Sequence, residues 1–241
     1  MSTYVYGIVL DSHPARVEEL RGVGETPGAV RTVDADGLKA VVGEAPPDLR
    51  AKRRDLKAHQ DVLEALIEQG PVLPMRFGLV ADDERTVAGA VAARRDDYRA
   101  TLSELDGRLE MNVKVAHQRD AVLGALLRQH EQLADLNERL RGRGGGTRDE
   151  QIHFGELVSE ALAERQRRDA EALSAILGEH AVRESAGPPV DGCFFNSSFL
   201  VERDELDEFT SVVDHLRRTL DPVAEVRLRG PLPPYSFVGG K

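Results

Sequence analysis

From Thr3 to Leu10 nearly every position is apolar or aromatic, the pattern of a buried strand, bounded by Asp11-Ser12-His13-Pro14. Pro14 at a helix start, with Val17 and Leu20 behind it, predicts a short helix ending before Gly22 to Gly28. Ala29 to Val33 and Leu38 to Val42 are short apolar runs. Asp34-Ala35-Asp36-Gly37 between them carries Asp-Gly turn chemistry and predicts a hairpin. A helix is expected from Pro46-Pro47-Asp48 to about Gln69, with Leu56, Val62, Leu63, Leu66 and Ile67 mostly three or four apart. Gly70-Pro71 stops it, and an extended run follows through Val72, Leu73, Met75, Phe77 and Leu79. Pro74 has no N–H to give to a ladder, so this strand belongs at a sheet edge.

A third helix is expected from about Asp83 to Leu105, with Val87, Val91, Tyr98, Leu102 and Leu105 on one face. Leu109, Met111, Val113 and Val115 then alternate with Glu110, Asn112 and Lys114, a half-buried strand. Helical patterns over Arg119 to Leu140 and on to about Leu177 flank the Gly-rich joint Arg141 to Thr147. Val122, Leu126, Gln129, Leu133, Leu136 and Leu140 step by four and three like a short coiled-coil seam. The pair is either a hairpin packed on its own domain or a projecting arm. Val182 to Ala186 and Cys193 to Val201 read as strands, Asp204 to Leu220 as an amphipathic helix with Asp204 its N-cap, and Val223 to Arg229 as a last strand. Arg229 to Val238, RGPLPPYSFV, repeats the Gly-Pro, apolar, Pro, aromatic texture of Gly70 to Val80.

Each half thus has the order βαββαβ, and the fold class expected is α+β: two tandem ferredoxin-like domains with antiparallel sheets. The expected divisions are an N-terminal domain over 1–80, a bridging helix over 81–106, and a C-terminal domain over 107–241 with its helical hairpin at about 118–178.

Composition narrows the function classes. The formal charge of −10 argues against a nucleic-acid binder that works by neutralising phosphates. An RNA-binding sheet would need exposed aromatics and a basic face, for which only Tyr4 and Tyr6 offer themselves. Cys193 is the single cysteine, which rules out an internal disulfide and a multi-Cys metal cluster. No run approaches the roughly 20 apolar residues of a membrane span, and the N-terminus lacks a signal-peptide pattern. A soluble, cytoplasmic protein is expected.

No catalytic constellation emerges. Gly142 to Gly146 lies between helices and lacks the Lys-Ser/Thr of a phosphate loop. The seven histidines are dispersed without metal-ligand spacing, and read as surface or packing residues. Asn196, Ser197 and Ser198 interrupt an apolar strand, so at least one is expected to be buried and hydrogen-bonded.

Four stretches in register resemble the gas vesicle protein F/L family. They are Tyr4 to Val9; His59 with Gly70-Pro71-Val72-Leu73-Pro74-Met75-Arg76-Phe77-Gly78; Asn196 to Val201 with Glu202-Arg203; and Arg229-Gly230-Pro231-Leu232-Pro233-Pro234-Tyr235-Ser236-Phe237. The composition fits the F form slightly better than the L form. The resemblance implies an accessory protein of gas vesicle formation, localised to the gas vesicle and cytoplasm, without enzymatic activity or cofactor; the dispersed histidines and single cysteine separately predict no metal site. It further implies contact with the hydrophobic shell protein and other vesicle accessory proteins, as a minor structural component or chaperone-like factor. The motif positions Pro74, Arg76, Phe77, Asn196, Phe199, Pro231, Pro234 and Tyr235 become the candidate interface or domain-closing residues. Arg76 and Tyr235 occupy matching places in the two closing strands, where they either fix the domain interface or a partner contact, or satisfy backbone carbonyls and a buried hydroxyl. The alternative function is a ferredoxin-like small-molecule-binding or enzymatic domain, because that fold hosts many activities.

Overall fold

The computed structural model describes residues 2–238. The described residues form two units, 2–111 with 230–238 and 112–229.

The first unit is built on β1 (Thr3–Leu10), whose first seven residues are all buried. β2 (Arg31–Asp34), β3 (Leu38–Glu44), β4 (Leu73–Pro74) and β5 (Val80–Ala81) complete its sheet, in the order β2-β3-β1-β4 with β5 also on β1. Every pairing in it is antiparallel. The β2–β3 hairpin turns as the Asp-Gly pair predicts. Asp36 and Gly37 have φ of 53° and 78°, and Ala35 and Leu38 exchange both main-chain hydrogen bonds across the turn. Between Val5↔Val42 and Gly7↔Val41 the register skips a residue, which leaves Tyr6 as the extra position of a β-bulge. Pro74 lies on the edge strand β4, where its missing N–H costs no ladder bond.

The helix expected at Pro14 to Leu20 does not form, so this unit lacks one helix of the expected βαββαβ order. Ala15 turns to φ 43°, and side chains take over the donors that a helix would have paired. Ala15 N–H donates to His13 Nδ1, Arg16 N–H to Gln69 Oε1, Val23 N–H to the Tyr6 hydroxyl and Gly24 N–H to Asp55 Oδ1. α1 (Arg53–Gln69) begins later than Pro46 suggests, and its inward stripe differs as well. Asp55 and His59 face inward with Val62, Leu63, Leu66 and Ile67, while Leu56 is 43% exposed. The helix expected from Asp83 to Leu105 is two, α2 (Glu84–Ala92) and α3 (Arg95–Leu105), separated at Arg94 by φ −119° and ψ 22°.

The second unit holds most of β6 (Arg108–His117), then α4 (Arg119–Gln129), α5 (Glu131–Gly142), α6 (Arg148–Gly178), β7 (Arg183–Ala186), β8 (Phe195–Glu202), α7 (Leu206–Leu220) and the start of β9 (Ala224–Leu232). Its strand order is β7-β8-β6-β9, and β7 pairs antiparallel with β8. β9 is thus an edge, and Pro231 sits in it. The first of the two expected insertion helices breaks at His130, which is extended at φ −121° and ψ 97°. α6 starts with a Thr147–Glu150 capping box. Its buried residues, Leu173 and Leu177, lie in the last two turns, beside β7, β8 and α7. Asp204 does not cap α7. A 3-10 turn over Arg203–Glu205 precedes that helix, and its N-cap is Glu205, without a side-chain cap bond. The core of this unit runs through Val113, Val115, Leu126, Phe199, Phe209 and Val213.

Candidate functional site

The first unit gathers chain-distant polar and aromatic groups around His59. β1 supplies Tyr4 and Tyr6, both without solvent exposure, which removes them as an RNA-stacking face. α1 supplies His59, the turn after β4 supplies Phe77, and a 3-10 turn over Tyr235–Phe237 supplies Tyr235. His59 Nε2 lies 3.1 Å from the Met75 carbonyl and 2.9 Å from the Tyr235 hydroxyl. A carbonyl only accepts, so Nε2 carries the proton and donates to both oxygens. Nδ1 is then the acceptor and takes the Tyr4 hydroxyl proton at 2.9 Å. The Tyr4 oxygen in turn accepts from Gly78 N–H at 3.2 Å. The Tyr6 ring stacks on the imidazole at 5.6 Å, and Phe77 meets it edge-on at 5.8 Å.

Burial sets the proton affinities here. It depresses His59 below the usual histidine range, against the opposing pull of the Met75 carbonyl. It pushes Tyr6 and Tyr235 up to about 12 and raises Tyr4 still further. The cluster is neutral at neutral pH and fully paired at His59. Glu110, itself buried, holds the adjoining turn by accepting from Ser236 N–H at 2.9 Å and Ser236 Oγ at 2.7 Å.

Beside this cluster lies a cavity of about 390 Å³ lined by Leu73, Pro74, Met75, Arg76, Arg94, Asp97, Tyr98, Thr101, Tyr235 and Val238. Three of the candidate residues, Pro74, Arg76 and Tyr235, therefore meet at one cavity. Phe77 lies against the neighbouring cluster, Pro234 is buried, and Pro231 is exposed in β9. Asn196 and Phe199 sit apart, in the second unit. Phe199 is fully buried, 5.5 Å from the Phe209 ring. Asn196 donates to the Pro188 carbonyl at 2.9 Å and accepts from Asn112 at 3.1 Å, and Asn112 also reaches Ser198 Oγ at 3.2 Å. Ser197 and Ser198 are buried, as a polar interruption of an apolar strand requires.

Arg94, Asp97, Tyr98 and Glu110 escape a sequence reading, because each looks like an ordinary helix-face or strand position. The spacing of Tyr4 and Tyr6 on one strand was the available signal for the cluster. Among the described residues no group of three or more His, Cys, Asp or Glu could hold a metal ion, and no helix is long and apolar enough to cross a membrane.

The family model described as gas vesicle synthesis protein GvpL/GvpF matches residues 2–239. Gas vesicle protein F of Streptomyces sp. (strain CB03234) is 42% identical, over 99% of this chain and 100% of its own length. Gas vesicle protein L of the same strain is 30% identical, over 98% of this chain and 92% of its own. The crystal structure of the gas vesicle protein GvpF from Anabaena sp. PCC7120 superposes with a TM-score of 0.83 at 26% identity, covering 100% of this chain and 99% of that one.

Proposed function

Because the chain belongs to the gas vesicle synthesis protein GvpL/GvpF family, we propose that it is a non-enzymatic assembly protein of gas vesicles. In this reading it binds the hydrophobic shell subunit and other vesicle accessory proteins, as a minor structural component or chaperone-like factor. A shell subunit with exposed apolar strand would aggregate before assembly, and a partner that covers it delays that loss. The match over residues 2–239 carries the reading. The convergence of Pro74, Arg76 and Tyr235 on one open cavity supports a contact role for that surface. Pro231 and Pro234 belong to the segment that brings Tyr235 to it, and Phe77 packs in the adjoining His59 cluster. Asn196 and Phe199 are assigned a domain-closing role within the second unit. The order βαββαβ of that unit, with the strands arranged second-third-first-fourth, supports a ferredoxin-like assignment for it, and the same strand arrangement in the first unit supports a variant lacking one helix.

The test is co-expression of the full chain with the shell subunit, followed by affinity capture. Co-purification is expected. A well-folded chain that captures neither the shell subunit nor another vesicle protein overturns the reading.

A further inference from the structure

The cavity beside His59 contains hydrogen-bond donors with no acceptor among the described residues. Arg76 is exposed and has no acceptor among the described residues. The Tyr235 oxygen accepts from His59 Nε2, which leaves its own O–H proton without an acceptor among the described residues. Arg94 sits over the Tyr98 ring at 4.8 Å, donates from Nη1 to the Tyr98 hydroxyl at 3.4 Å, and has the Asp97 carboxylate 3.8 Å from its Nε, long for a charged hydrogen bond. Most of its N–H groups are therefore available to a ligand.

The charges on the wall define what the ligand must be. Two guanidiniums against the one Asp97 carboxylate leave a single positive charge to be met. A phosphate dianion would overshoot it and face Asp97, whereas one carboxylate balances it. Leu73, Pro74 and Val238 supply apolar lining that suits a methylene stem. A chain of net charge −10 gains specificity from such a local positive patch, because its remaining surface repels acidic segments.

We propose that this cavity docks an acidic side chain, Asp or Glu, of a protein partner, with Arg76 and the Tyr235 hydroxyl as its donors. The proposal rests on the reading of the chain as a vesicle assembly protein and names the chemistry by which one partner is held.

The experiment uses the full chain co-expressed with the vesicle proteins. R76Q is expected to lower capture of one vesicle protein about tenfold or more, the order for a lost charged hydrogen bond, with an unchanged urea midpoint. Tyr235→Phe should lower it less. In R76K, a carbodiimide, which couples amines to carboxylates in contact, should join position 76 to an Asp or Glu of that partner. Free glutarate should compete with capture. If the unsubstituted chain captures a partner but R76Q captures it equally well and R76K yields no cross-link, the carboxylate assignment is overturned and the assembly role stands. Glutarate binding that leaves capture intact also overturns it, since the cavity would then serve a free small acid. If the unsubstituted chain captures nothing, the assembly reading falls first.

Discussion

His59 is held between two tyrosine hydroxyls and a main-chain carbonyl, and its neutral form makes a hydrogen bond to each of them. Removing one partner therefore strands others. Tyr4→Phe deletes both the buried donor to His59 Nδ1 and the part-buried acceptor for Gly78 N–H. It is expected to cost about 1–3 kcal/mol in urea unfolding. Tyr235→Phe leaves His59 with the Met75 carbonyl and sits at a partly open position, so its cost should stay under about 1 kcal/mol. Equal costs for the two would contradict the proton assignment. Acid should act through the same ring. Burial depresses both His59 and His13, whose Nε2 donates to the Leu66 carbonyl at 3.2 Å. In the unfolded chain both imidazoles take up protons below about pH 6.5, so there the unfolded state binds more protons than the folded one. This stabilisation is full above that pH and is lost as pH falls toward the depressed folded values. The urea midpoint should drop between neutral pH and pH 5, with a shallower slope in His59→Gln. A midpoint flat across that window would count against the burial of both rings.

At the scale of elements, α6 is buried most deeply at its C-terminal end, while its earlier turns lie half-buried against α4 and α5. Leu173 and Leu177 are its buried side chains, whereas Ile152 near its start is 51% exposed. Leu177→Ala should cost about 2–5 kcal/mol, and Ile152→Ala well under 1 kcal/mol. Amide exchange should accordingly be faster in the early turns of α6 than around Leu173, and uniform protection along the helix would refute this. Such polarity was only half legible in the sequence. The arrangement of the β2–β3 hairpin was readable because Asp36-Gly37 is a local signal with local chemistry. The bulge at Tyr6 was not, since an unbroken apolar run carries no mark of where its register slips. Nor was the missing helix at Pro14 to Leu20, because side chains of Asp55, Gln69 and Tyr6, remote in sequence, claim the backbone donors there. On α1 the apolar pattern placed Leu56 inward, yet Asp55 occupies that position. Its carboxylate is held below the usual range by Arg54 and by Gly24 N–H, a pairing no helical periodicity reveals.

For the whole molecule, family membership was legible because it rests on several short motifs in register, and the match spans residues 2–239. The cavity was less so: Pro74, Arg76 and Tyr235 stood out singly, but their meeting depends on a return of the chain over more than half its length. The acidic balance has its own consequence. With a sequence pI near 5.3, solubility should pass through a minimum close to that pH, where the histidine-linked stability is also falling. Light scattering across a pH series is expected to peak there, and a peak displaced by more than about one pH unit would mean that local patches, not net charge, govern association.

The distribution of aromatic rings also decides what the protein looks like to light. It has no tryptophan and four tyrosines, and all four lie in the first unit, at the His59 cluster or on the wall of the adjoining cavity. Intrinsic emission and near-ultraviolet dichroism therefore come almost wholly from that unit. The second unit, with its phenylalanine core and long helix, is nearly dark in the same window. An unfolding curve recorded by tyrosine emission is a record of the first unit, and the helical signal in the far ultraviolet is needed to see the other.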